Sequence, residues 1–184
     1  MKKTFVVILG ALLFLGSAST FTADGALRIN VRLSGYQETP LALSTTGNGR
    51  FLARIRQNDT EIQWELSYGD LEAAVTQSHI HFGARGQTGG VSVFLCTNLN
   101  NGPVGTQTCP ASAPQDNPLT GVATAADVIG PAGQGITAGE FAELTAAIRA
   151  GVAYVNVHSV LYPGGEIRAQ FPRSDDAQDH HHHD

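Results

Sequence analysis

The sequence predicts an all-β domain, an antiparallel Greek-key-like β-sandwich or flattened barrel with one short helix. Three observations point there. Apolar and polar residues alternate in short runs, turn signals separate those runs, and only one segment carries helical spacing. The first run is Leu27 to Leu33: Leu27, Ile29, Val31 and Leu33 share one face, and Arg28, Asn30 and Arg32 share the other. Period two in the side chains is the mark of a half-buried strand. Gly49 to Arg56 repeats it, with Phe51, Ala53 and Ile55 inward and Leu52 as the one break. Glu61 to Tyr68 follows, with Ile62, Trp64 and Leu66 on the core side. The polar Gln57-Asn58-Asp59-Thr60 link reads as a hairpin turn. Val75 to Phe82, Gly90 to Cys96, Ala153 to Val157 and Glu166 to Phe171 complete the strands. The last two are joined by the turn signal Tyr162-Pro163-Gly164-Gly165. Thr137-Ala138-Gly139-Glu140 has capping-box spacing, and Phe141, Leu144, Ala147 and Ile148 then recur at helical intervals before Gly151. Asn98 to Gly135, rich in Gly, Pro, Ala, Thr and Asn, reads as a long irregular excursion.

Residues 1–23 read as a secretory signal: Lys2 and Lys3, an apolar run from Phe5 to Leu15, then small residues. That run is too short to span a membrane comfortably, and no later segment is a candidate span. The expected product is periplasmic or secreted, one β domain over residues 24–173 with a disordered acidic and histidine-bearing tail over 174–184. Without Lys2 and Lys3 the chain has no lysine, and nine arginines against sixteen acids leave a net charge of −7. That total argues against nucleic acid as a partner. Cys96 and Cys109 are the only cysteines, and in an exported chain they are expected to pair as a disulfide. Their spacing matches no zinc motif.

The chemistry concentrates in histidine. His79 and His81 flank Ile80, and His158 ends the run Tyr154-Val155-Asn156-Val157-His158. Strand alternation puts His79 and His81 on one face, and Tyr154, Asn156 and His158 on the face opposite Val155 and Val157. If the two strands are neighbours, three imidazoles meet outside the apolar core. Three neutral imidazoles with an open fourth position suit copper or zinc. The competing reading is three unrelated polar residues on solvent-facing positions. Glu38 and Glu166 are candidates to orient an imidazole, or equally to cap turns. Tyr154 is a candidate wall of the site. Arg168 would steer a small anion to a bound metal, or else be an exposed strand arginine or an ion-pair partner of Glu38 or Glu166. The tail residues His180, His181, His182 and His183 would capture metal without fixed geometry. No G-x-S-x-G, P-loop, H-E-x-x-H or dinucleotide fingerprint is present.

Leu33-Ser34-Gly35-Tyr36-Gln37-Glu38-Thr39-Pro40, Ser78-His79-Ile80-His81-Phe82-Gly83, Ala153-Tyr154-Val155-Asn156-Val157-His158 and Pro163-Gly164-Gly165-Glu166-Ile167-Arg168 together resemble the CHRD (chordin-type) domain, over about residues 27 to 171. The resemblance implies an extracytoplasmic β-rich module of the single-domain exported microbial type, without a settled activity. The His-x-His strand is also similar, by analogy, to the copper-binding strand of copper-zinc superoxide dismutase. The zinc loop of that enzyme is lacking, so an activity on superoxide would be copper-only. The expectation is an exported binding module holding copper or zinc. The alternatives are a copper-only oxidoreductase and a metal-free adhesion or matrix module.

Overall fold

The computed structural model describes residues 26–55 and 60–174. The expected signal segment, residues 56–59 at the expected hairpin turn and the histidines at 180–183 lie outside the described residues. Among the described residues there are eight strands: β1 (Leu27–Ser34), β2 (Asn48–Ile55), β3 (Glu61–Gly69), β4 (Val75–Phe82), β5 (Gly90–Thr97), β6 (Leu119–Thr124), β7 (Ala153–Ser159) and β8 (Ile167–Gln170). One helix, α1 (Phe141–Arg149), precedes β7. The strands form a single antiparallel sheet in the order β5-β4-β7-β8-β1-β2-β3-β6. It curls into a nearly closed, flattened barrel.

The alternation read in the sequence sets the inside. Leu27, Ile29, Leu33, Phe51, Ile55, Ile62, Leu66, Ile80, Val155, Val157 and Ile167 are buried in one core cluster. Phe51 and Phe171 stack at its centre, ring centroids 5.4 Å apart. The edge strands β5 and β6 face each other across a seam lined by Val93, Leu95, Gly121 and Ala123. Gln107 bridges that seam. Its Nε2 donates to Leu95 O on one edge (3.2 Å) and to Thr120 O on the other (3.1 Å). One amide thus satisfies carbonyls that an open edge would leave to solvent.

Two expectations are corrected. The excursion over 98–135 is not wholly irregular, because it contains β6. That strand was hidden by its own small residues. Gly121 pairs with Trp64, and a Cβ there would lie 2.3 Å from Trp64 Cζ2. The indole's bulk therefore removes the apolar side chain that would have marked the strand. The box at Thr137–Glu140 is also not the helix cap. Glu140 Oε2 accepts the Thr137 N–H (2.5 Å), but Gly139 adopts φ +87° and the helix begins at Phe141. A left-handed glycine cannot continue an α-helix, so the motif closes a turn ahead of it.

The disulfide is present: Cys96 at the end of β5 is bonded to Cys109, both buried. Asn98 reinforces it, its Oδ1 accepting the Cys109 N–H (3.0 Å) and its Nδ2 donating to Cys109 O (3.1 Å). With a sequence separation of 13, chain-entropy reasoning gives about 3 kcal/mol. Reduction, or replacement of both cysteines by alanine, is expected to lower unfolding stability by up to about that amount. Urea midpoints of the oxidised and reduced protein measure it.

Candidate metal centre

Strand register builds the site. β4 pairs with β7 so that His79 lies opposite Asn156, and Gln77 opposite His158. His79, His81 and His158 consequently project from adjacent strands on one face, with Ile80, Val155 and Val157 on the other. One ligand atom from each of the three lies within 4.8 Å of the others. His79 Nδ1 is 3.1 Å from His158 Nε2. The ring centroids of His79 and His81 are 5.3 Å apart, and those of His81 and His158 are 6.1 Å apart.

The rings meet outside the apolar core, yet they do not face solvent. Exposure is 2 % for His79, 7 % for His81 and 5 % for His158. Loops cover this face of the sheet. The loop before β5 brings Gly89 over His81, whose Nδ1 lies 2.9 Å from Gly89 O. The turn before β8 brings Pro163 over His158, whose Nδ1 lies 3.0 Å from Pro163 O. A carbonyl only accepts, so each Nδ1 carries hydrogen and each Nε2 keeps a lone pair. His79 Nδ1 then donates to His158 Nε2. The Nε2 atoms of His79 and His81 are buried without a partner. Buried polar atoms are almost always bonded, so two orphaned lone pairs in one cluster fit a cation.

Around the rings the packing is aromatic. Phe94 meets His79 edge-on at 4.3 Å, and Tyr154 stacks on His81 at 4.7 Å with planes 4° apart. The Arg168 guanidinium caps the other face of Tyr154, 3.6 Å from its centroid. Arg168 is 1 % exposed, so the exposed-arginine reading is wrong. Burial is supported by donors used in full view of acceptors: the Thr39 hydroxyl, Ala84 O (3.4 Å) and Gln170 Oε1 (2.8 Å). Gln170 in turn donates to the carbonyls of Gly83, Gly151 and Ala153.

Burial keeps the imidazoles neutral. Desolvation first, then the neighbouring histidines, pull His79 down to about 2. Desolvation outweighs the Gly89 hydrogen bond and takes His81 to about 4. His158 is lowered by the same cause. Neutral imidazole is the form that binds metal. Glu38 goes the other way, to about 7, because burial outweighs the attraction of Arg168 and the Thr39 N–H.

The two glutamates separate. Glu38 lies against Gly165, where a Cβ would come within 2.7 Å of its Oε1 and of Asn156 Nδ2. Gly165 also has φ +126°, so only glycine suits that turn. Glu166 is wholly buried. Its Oε1 accepts from Thr45 Oγ1 and from the Glu72 N–H, each at 2.7 Å, so it ties two loops together. The His81 and His158 imidazoles are oriented by main-chain carbonyls, which side-chain motifs do not reveal. Gly89 left one clue: a Cβ there would lie 1.8 Å from Phe82 O. The close approach that demands glycine is also what sets its carbonyl on His81.

The match of the CHRD domain model extends over residues 29–171, through every strand and all three histidines. The chain belongs to the CHRD family. The family read from the sequence motifs is therefore the family matched. Comparison with curated proteins and with solved structures finds no match. Within this CHRD domain the disulfide is formed, and among the described residues no helix is long and apolar enough to cross a membrane.

Proposed function

We propose that this CHRD protein is an exported binding module that holds a copper or zinc ion through His79, His81 and His158. The observation that carries the reading is the buried trio itself, with the His81 Nε2 lone pair left unbonded. The 3.1 Å gap between His79 Nδ1 and His158 Nε2 supports it. Two nitrogens on one ion, at bonds of about 2.0–2.1 Å, stand roughly 3–3.4 Å apart. An ion held at that pair would take His79 through Nδ1, with the His79 proton on Nε2, while the carbonyls of Gly89 and Pro163 hold the other two rings with Nε2 free to coordinate.

Near-complete burial favours holding an ion over turning over superoxide, which needs an open coordination position that substrate can reach. The donor set is all imidazole, which suits copper and zinc alike. The disulfide and the sequence of residues 1–23 support export. Residues His180 to His183 would gather metal separately.

The test uses the full chain with His180, His181, His182 and His183 changed to alanine, so that only the folded domain reports. Calorimetry with cuprous, cupric and zinc ions is expected to show one site per chain. Adding His79→Ala or His158→Ala should weaken it at least about 100-fold, the upper range for loss of a mere orienting partner. Unchanged affinity in both variants would remove the reading.

A further inference from the structure

The opposite side of the barrel carries a second feature that the metal centre does not use. Four of the chain's nine arginines lie on the outer face of β1 and β2. Register sets them in two cross-strand pairs, Arg28 opposite Arg54 and Arg32 opposite Arg50. Like charges directly opposite one another destabilise a sheet, and this chain is acidic overall. Arg50 donates its Nε–H to the neutral amide of Asn30 (2.9 Å). Between the two pairs sit Asn30 and Leu52, also opposite each other, and Glu65 lies across from Leu52 on β3. The face opens into a groove of about 660 Å³, whose walls include Arg28, Asn30, Leu52, Arg54, Glu65 and Val122.

Spacing says what such a face accepts. Within a pair, two guanidiniums can grip one carboxylate or sulfate, since their planar forks match those groups. Along the strands the pairs are four residues apart, about 13 Å. A polymer charged at every short step would place an anion over Leu52, next to Glu65. A polymer charged only at intervals would lay a neutral, hydroxylated stretch there, with Asn30 and Glu65 as hydrogen-bond partners.

We propose that this face binds a linear acidic polysaccharide, each arginine pair clamping one anionic group and the neutral middle lying over Asn30 and Leu52. The net negative charge does not oppose this, because screening at physiological salt confines each charge to about 8 Å and leaves the local cations to act.

The test is titration of the full-length protein, starting from about 0.15 M salt, with hyaluronan oligosaccharides, which carry one carboxylate per two sugars. Neutral dextran and inorganic polyphosphate are the comparisons. Hyaluronan should bind, more weakly as salt rises, and dextran should not. Arg28→Gln with Arg32→Gln breaks one guanidinium in each clamp at exposed positions. It should weaken binding at least tenfold with the thermal midpoint unchanged or raised, since one charge of each opposed pair is gone. Glu65→Gln should strengthen polyphosphate binding and leave hyaluronan as before. Hyaluronan held no better than dextran, equal binding by the double variant, or a wild-type preference for polyphosphate would each overturn the proposal.

Discussion

Replacing Arg168 with leucine is expected to destabilise the domain by about 3–5 kcal/mol, the range for disrupting a buried charged network. The guanidinium holds Ala84 O and Gln170 Oε1 as well as the Thr39 hydroxyl, and at 1 % exposure no water replaces it. Each buried acceptor left unpaired costs about 1–3 kcal/mol. Loss of the cation from the Tyr154 face adds about 1–2 kcal/mol. Glu38 limits the damage, since a carboxyl already raised to about 7 takes up a proton once its cation is gone. Arg168→Lys should recover only part of the loss, because an ammonium cannot reproduce the planar contact with Tyr154. Urea unfolding at neutral pH measures all of this. A change below about 1 kcal/mol, the size of an ordinary surface substitution or less, would mean that the buried network carries no stability.

Acid is expected to unfold the metal-free protein well before ordinary carboxylates titrate. In the unfolded chain, histidine takes a proton near 6.5. In the folded chain, His79 resists to about 2 and His81 to about 4. Their stabilising contribution is complete above pH 6.5 and is lost as pH falls towards those values. Glu38 opposes them. Its folded value of about 7 against an ordinary 4.5 means that its contribution is present below 4.5 and lost as pH rises through 7. Each group contributes about 1.4 kcal/mol per pH unit in its window. Between pH 6 and 4.5, two histidines against one glutamate leave a net loss of about 1.4 kcal/mol per unit of acidification. His158, also lowered, steepens the loss. His79→Phe should flatten the slope, and saturating zinc should steepen it, because metal and protons compete for the same nitrogens. A flat stability profile from pH 7 to 4.5 would contradict the buried neutral trio.

The barrel was legible wherever a strand has one apolar and one polar face. Leu27 to Leu33 and Ile62 to Leu66 state their orientation in the sequence. β6 does not, because Trp64 allows only glycine at position 121. The His-x-His pair and His158 could be placed on one face each by alternation. Their convergence needed the β4–β7 register, which no local pattern contains. Burial of the outer face was also hidden. Strand periodicity marks one apolar side, and on this side Tyr154, Asn156, His158, Arg168 and Gln170 look like a wetted surface. Loops without any period cover them, and polar side chains bonded to loop carbonyls fill what would otherwise be an apolar second layer.

Because Gly89 and Pro163 present peptide oxygens to His81 and His158, the aim of each ring is inherited from the path of a connecting loop. Apart from Gly89 and Gly165, where only glycine fits, side chains along those connections can change without turning the ligands. A contact that pulls on either connection is not so innocent: it rotates an imidazole and re-tunes the grip on whatever the trio holds.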